Sequence, residues 1–203
     1  MARKSNTEQR RAEIVAGLLA AIGEHGYDKA TTQTIAARAG LAPGLIHYHF
    51  KNKEEILLEL VKSLAAVGRR RYDELAASAA TADERIKAYI DARLALGDGA
   101  DPHAVAAWVV IGAEAVRQPQ VRAVYRDAVA GELALLEGLL RDYLGAHGKP
   151  PAAAPRLAAA LVAFMEGAFQ LASAAGDVMP QGYAAAMALE LVRRFAAAEP
   201  DAG

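Results

Sequence analysis

Apolar positions recur along the chain at helical spacing, and β-branched alternation of the kind that marks strands is absent. Ile14, Leu18 and Ile22 stand at i, i+4 and i+8, which places them on one face and predicts a helix over residues 7–24, ended by His25-Gly26. Residues 31–39 read as a short helix after a Thr cap, and Gly40 stops it. Pro43 opens a third short helix, at a position where its missing N–H is no loss. Lys53 starts a longer helix whose stripe is Ile56, Leu57, Leu60, Val61 and Leu64.

Five further helices follow. Residues 83–96 carry Ile86, Tyr89, Ile90, Arg93 and Leu94. Residues 103–117 are apolar nearly all round and hold Trp108, so this helix is expected at a central position. Pro119 begins a helix to about residue 144, and residues 156–175 and 181–197 close the chain. The breaks are GDGADP (97–102), GAHGKPPAAAP (145–155) and GDVMP, and the tail EPDAG is expected to fray. The pattern describes an all-α protein of about nine helices, without internal repeat or coiled-coil heptads.

Composition adds exclusions. A chain of 203 residues, 54% hydrophobic, buries a substantial core without covalent staples. The absence of cysteine excludes a disulfide scaffold, a thiol nucleophile, an iron–sulfur cluster and a thiolate zinc site. The opening MARKSNTEQRRAE is polar with no apolar run behind it, so no secretory signal is expected. The most membrane-like window, 157–176, is alanine-rich and holds Glu166, whose insertion would cost about 2.5–3.5 kcal/mol. It reads as a buried interface helix, and the protein as soluble and cytoplasmic.

The formal net charge of -1 argues against a nucleic-acid partner only as a global sum. Residues 1–71 hold 12 Lys and Arg against 7 Asp and Glu; residues 72–203 hold 11 against 17. The N-terminal third is basic and the rest acidic. Within the basic part, Ala36, Gly40 and Ile46 have the spacing of a helix-turn-helix. Two helices cross closely at a small residue, a glycine takes the angles of the turn, and an aliphatic knob on the second helix packs inward. Ile35 is the inward knob of the first helix and Phe50 continues the inner face of the second, so Pro43, Gly44, His47 and Tyr48 point outward.

The segment TTQTIAARAGLAPGLIHYHFKNKEEILLEL resembles the DNA-binding domain of the TetR family of bacterial transcription regulators. Thr31 or Thr32, Ile35, Ala36, Ala39, Gly40, Gly44, Ile46, His49, Phe50, Lys53, Glu54 and Ile56 fit the family pattern, over about residues 8–62. The stretch WVVIGAEAVRQPQVRAVYRD is similar to the corresponding part of betaine-repressor-like members. The resemblance implies a three-helix DNA-binding domain over residues 1–53. A helical ligand-binding and dimerisation domain then covers 54–203, with 54–80 as its connecting helix. It implies that Thr32 contacts phosphate and that Gln33 reaches a base edge, where Gln pairs bidentately with adenine. It puts Pro43, Gly44 and His47 at base-facing positions, Tyr48 and His49 on the DNA backbone, and Lys53 where a helix N-terminus meets phosphate. Leu45 stands where the family usually has Thr or Ser; it removes a phosphate hydroxyl and offers contact with a thymine methyl. His47 replaces a usual Tyr, and Ala42-Pro43 a polar cap.

Other chemistry is weaker. His47 and His49, at i and i+2, diverge on a helix, and no cysteine or nearby carboxylate completes a metal set, so a DNA role is favoured over metal or plain surface. Arg3-Lys4 reads as an arm on DNA or a solvated end, and 69–71 as a solvated helix face. No nucleophile elbow, P-loop, dinucleotide fingerprint or di-iron Glu-x-x-His pair is present, so neither enzyme activity nor a cofactor is expected.

A ligand pocket is expected between helices of the second domain, with Tyr89, Arg93, Trp108, Glu114, Arg117, Tyr125, Met165, Glu166 and Phe169 as candidate lining and core packing as the alternative for each aromatic. Glu114 and Arg117, at i and i+3, are placed to pair with each other. Glu166 in an apolar helix calls for a partner. The last two helices form the expected dimer surface, through Leu161, Phe164, Met165, Ala168 and Ala172 on one and Leu189, Val192 and Phe195 on the other. The expected function is a homodimeric, ligand-responsive repressor on a pseudo-palindromic operator. The alternatives are an activator, or a helical ligand-binding or protein-interaction module without specific DNA reading.

Overall fold

A computed structural model describes the backbone of residues 2–95 and 100–202, and the side chains from residue 6 onward within them. The side chains of Arg3 and Lys4, and residues 96–99 of the break before Pro102, lie outside the described residues. Among the described residues the fold is all-α, with no strand and nine α-helices: α1 (Ala2–His25), α2 (Thr32–Ala39), α3 (Pro43–His49), α4 (Lys53–Ala76), α5 (Ala82–Leu94), α6 (Pro102–Arg117), α7 (Pro119–Ala146), α8 (Ala154–Ala174) and α9 (Tyr183–Ala198). α1 begins five residues earlier than the apolar stripe predicts, because Ala, Arg and Lys propagate a helix without needing a buried face.

The chain packs as two compact units, one within Met1–Ala65 and His103–Ala128, the other within Ala66–Pro102 and Val129–Gly203. The first unit centres on Ile14, Leu18 and Ile22 of α1, Ile35 and Ala36 of α2, Ile46 and Phe50 at α3, and Ile56, Leu57, Leu60 and Val61 of α4. Each of the Ile, Leu and Val side chains, fully buried, contributes roughly 1.5–3 kcal/mol of transfer free energy. Ile111, Ala115 and Val121 join the same core, so packing attaches 103–128 to the N-terminal helices.

Local chemistry sets the helix ends. Thr31 Oγ1 accepts the Thr34 N–H at 3.2 Å and caps α2. Gly40 ends α2 at φ 67, and the bonds Leu41 N–H to Ala36 O and Gly40 N–H to Ala37 O form a Schellman turn. Asn52 Oδ1 accepts the Glu55 N–H at 2.9 Å, and Glu55 accepts the Lys51 N–H at 2.8 Å, which starts α4.

α6 is not a helix buried all round. Ala107, Ile111, Glu114 and Ala115 are its buried residues, Trp108 is half-buried and Val116 is 74% exposed. An apolar sequence places a helix near a core but does not surround it.

The second unit is built from α5, the later part of α7, α8 and α9 around Tyr89, Ile90, Leu136, Leu140, Leu144, Leu157, Leu161 and Val192. Thr81 and Glu84 form a reciprocal capping box at α5. Part of the 145–155 break is a 3-10 turn, Pro151–Ala153, leading into α8 two residues before the expected start. The segment Pro151–Ala174 is long and apolar enough to cross a membrane by length and composition. Its Leu157, Ala158, Leu161, Met165 and Ala168 are nonetheless buried in the unit's own core.

The tail is tied down rather than frayed. Lys149 Nζ donates to Glu199 O at 3.1 Å and to Asp201 Oδ1 at 2.7 Å, and the Ala202 N–H donates to Gly148 O at 2.7 Å. The Lys149 ammonium holds the Asp201 carboxyl below its usual pKa.

Candidate nucleic-acid interface

α3 is held from beneath and bare on top. Ile46 and Phe50 are buried at 1% and 2% exposure, while Pro43, Gly44, Leu45, His47 and Tyr48 are exposed, Tyr48 at 76%. With 3.6 residues per turn, seating Ile46 and Phe50 inward leaves this set outward. His49 is half-buried, its ring edge-on to Tyr48 at 5.0 Å. On α2, Gln33 is exposed and Thr32 half-buried, in the first turn after the Thr31 cap.

Sequence reasoning missed Arg11. Its Nη1 donates to the His49 carbonyl at 2.6 Å, and its guanidinium lies 4.0 Å above the Phe50 ring. Glu59 lies 3.4 Å from Nη2, and Glu55 lies 3.8 Å from Nη1. Arg11 thus satisfies a carbonyl at the C-terminal end of α3 and clamps α1 onto it. The signal was present: Arg11 stands three residues before Ile14 and seven before Leu18, on the apolar stripe.

Lys53 is the first residue of α4. Its Nζ donates to Tyr27 O at 2.8 Å and sits 4.1 Å above the Tyr27 ring, so its charge is directed into the turn after α1. The Tyr27 hydroxyl is buried without a hydrogen-bond partner, and burial, with Glu54 and Asp28 adding to it, raises its pKa above the ordinary phenol value.

The nine candidate ligand residues fall into separate groups. In the first unit, Trp108 and Tyr125 stack at 4.8 Å. Glu114, 6% exposed, accepts from Arg117 at 2.8 Å and from Gln118 at 2.5 Å. It is the buried carboxylate among the described residues; Glu166, singled out from the sequence, is half-buried. In the second unit, the Tyr89 hydroxyl and the Arg93 guanidinium both donate to Glu132 of α7. Burial, together with the Glu132 charge, raises the Tyr89 pKa. Gly68 makes room for this guanidinium, since a Cβ there would collide with Arg93 Nη1. Glu132 carries no sequence signal, being an acidic residue in a long mixed helix. Met165 is buried and Phe169 packs against the same core.

The proposed dimer residues divide by burial. Leu161, Met165, Ala168 and Val192 face inward, into the chain's own core. Phe164, Leu189 and Phe195 are half-buried and Ala172 is exposed, beside the outward Leu171, Met187 and Leu191. The inward members of the stripe belong to the core shared by α5, α7, α8 and α9. A groove of about 310 Å³ on the α8–α9 surface is lined by Leu157, Ala160, Leu161, Leu191, Arg194 and Phe195.

Comparison with known proteins adds independent findings. The family model described as bacterial regulatory proteins, tetR family, matches residues 14–60. That described as BetI-type transcriptional repressor, C-terminal, matches residues 82–198. The HTH-type transcriptional regulator BetI of Rhizobium meliloti (strain 1021) is 38% identical over 115 residues, which is 56% of this chain and 55% of that protein. The match therefore spans about half the length of that curated relative. BetI of Agrobacterium fabrum is 31% identical over 163 residues, 79% of this chain and 75% of that protein. Two solved structures share the fold. A Saccharomonospora viridis protein in complex with choline superposes with a TM-score of 0.70 at 22% identity, covering 94% of this chain and 97% of that one. FadR of Bacillus subtilis in complex with stearoyl-CoA superposes with a TM-score of 0.71 at 24% identity, covering 89% and 96%.

Proposed function

The chain belongs to the TetR family of bacterial transcription regulators, with a BetI-type C-terminal region, and on that premise we propose that it is a cytoplasmic homodimeric repressor released from its operator by a small molecule. The observation that carries the DNA reading is the two-sided α3, anchored through Ile46 and Phe50 and by Arg11 on the His49 carbonyl, with Pro43, Gly44, Leu45, His47 and Tyr48 outward. Two copies related by a two-fold axis would present two such helices to major grooves about one helical turn apart, or a multiple of it, on a pseudo-palindromic site.

In this reading Gln33 reads a base edge, Thr32 and Tyr48 position on phosphates, and Leu45 takes a thymine methyl. Lys53 serves chiefly to hold the turn after α1. The dimer is formed by the outward residues of α8 and α9, Leu171, Met187 and Leu191, with Phe164, Ala172, Leu189 and Phe195 at their margins. Release requires an effector that binds the DNA-incompetent state more tightly than the competent one. The relatives' names and the neighbours' ligands support two first probes of different chemistry, choline and a long-chain acyl-CoA.

The test is salt-dependent binding to duplexes selected from the source genome. Specific binding that is weakened by His47→Ala and Gln33→Ala supports the reading. Absence of any selected operator overturns it, as does specific binding that both variants leave intact. Light scattering at micromolar concentration reads the dimer, and Trp108 fluorescence reads the effector.

A further inference from the structure

The α3 sequence, PGLIHYH, contains neither Lys nor Arg; its two groups able to carry positive charge are His47 and His49. Of the permanent cations around α3, Arg11, Arg38 and Lys53 are engaged elsewhere, and Lys51, exposed in the turn after α3, stands outside the helix. From α1, Arg11 is bonded to the His49 carbonyl, to Glu59 and onto the Phe50 ring. From α2, Arg38 is paired with Glu24. From α4, Lys53 is bonded to the Tyr27 carbonyl, and the α4 carboxylates Glu55 and Glu59 lie against Arg11. His47 is fully on the exposed face and His49 at its margin, beside the exposed Tyr48.

We infer that operator binding by this protein is proton-linked, with His47 and His49 binding DNA as imidazolium ions, so that affinity for the operator rises as pH falls. This inference rests on the DNA reading above. In the negative field of the duplex an imidazole interacts more favourably as the imidazolium than as the neutral ring, so complex formation takes up protons from solution wherever the free side chain is neutral. Imidazole is the side chain whose charge changes between about pH 5 and 8, which sets the range to examine. A recognition helix bearing Lys or Arg would have no such dependence in this range. The result is a repressor whose hold on DNA tightens on acidification, independently of its effector.

The experiment is fluorescence anisotropy of the full-length protein with its selected operator duplex, at pH 5.8 and 7.8 and several ionic strengths. The operator dissociation constant is expected to rise by about tenfold or more between the two pH values, one bound proton corresponding to a factor of ten per pH unit. The salt slope is expected to be steeper at the lower pH, by about 0.9 for each histidine that meets a phosphate as a cation. His47→Gln should flatten part of the pH profile, and His47→Gln with His49→Gln should abolish it. His25→Gln, changed outside α3, should retain it. Circular dichroism at both pH values verifies that each protein stays folded. A dissociation constant independent of pH overturns the inference alone, as does a pH profile that survives the double replacement. Binding to no duplex at either pH overturns both the inference and the DNA reading beneath it.

Discussion

Gly17 of α1 lies so close to α2 that a methyl group on its Cα would stand 2.6 Å from the carbonyl oxygen of Ile35. The same Cβ would stand 3.1 Å from the Cβ of Ala39. The tight crossing in this domain is thus set from α1, by a glycine, as well as by the buried Ala36 within the helix-turn-helix.

Gly17→Ala should therefore destabilise the protein, by about 1–3 kcal/mol, since the obstacle is backbone that cannot rotate away. A helix-interior glycine with open space behaves oppositely. Gly23, exposed and with nothing within 4 Å of its would-be Cβ, should gain up to about 1 kcal/mol on replacement by Ala. Urea denaturation of the pair checks the sign of each. An unchanged midpoint for Gly17→Ala would mean that α1 and α2 can separate freely.

Glu132 receives both the Tyr89 hydroxyl and the Arg93 guanidinium in the second unit, and Arg93 Nε is already buried without a partner. Glu132→Ala should cost roughly 3 kcal/mol, because it strands a largely buried cation. Replacing both members, Arg93→Met with Glu132→Leu, should recover most of that loss. A double-mutant cycle in thermal unfolding measures the coupling.

Thr81→Ala removes one half of the α5 capping box and should cost about 1 kcal/mol. Hydrogen bonds from the Thr81 and Ala80 backbone hold the Glu84 carboxyl below its ordinary pKa. The contribution of Glu84 is then complete above the ordinary carboxylate range and is lost as pH falls through the lowered folded value. Acid titrations of Glu84→Gln and the parent protein should converge at low pH and separate at neutral pH.

On DNA, Gln33→Ala should weaken operator binding by about 1–3 kcal/mol if Gln33 makes a bidentate adenine contact, with loss of discrimination at one base position. Leu45 should register a thymine methyl. Replacing that thymine by deoxyuridine should cost about 0.8 kcal/mol, the value of one buried carbon, and the difference should vanish in Leu45→Ala. Competition binding with singly substituted duplexes reads both.

The helices and the outward face of α3 were legible in the order of residues alone. Helix ends depend on neighbours within a few residues, so Thr31, Gly40 and Pro43 announce α2, the turn and α3 without any tertiary information. The period of Ile14, Leu18 and Ile22, and the spacing of Ala36, Gly40 and Ile46, likewise state which residues share a face. What periodicity does not state is which neighbour that face meets. Packing of distant segments is what brings Arg11 to the end of α3, Lys53 to Tyr27, and Arg93 to Glu132 on another helix. The same limit leaves to packing which carboxylate is buried, Glu114, and which residues of α8 and α9 turn inward, Leu161, Met165, Ala168 and Val192. An alanine-rich helix such as α8 is apolar around most of its circumference, so its sequence leaves the choice of inner face to the helices packed against it.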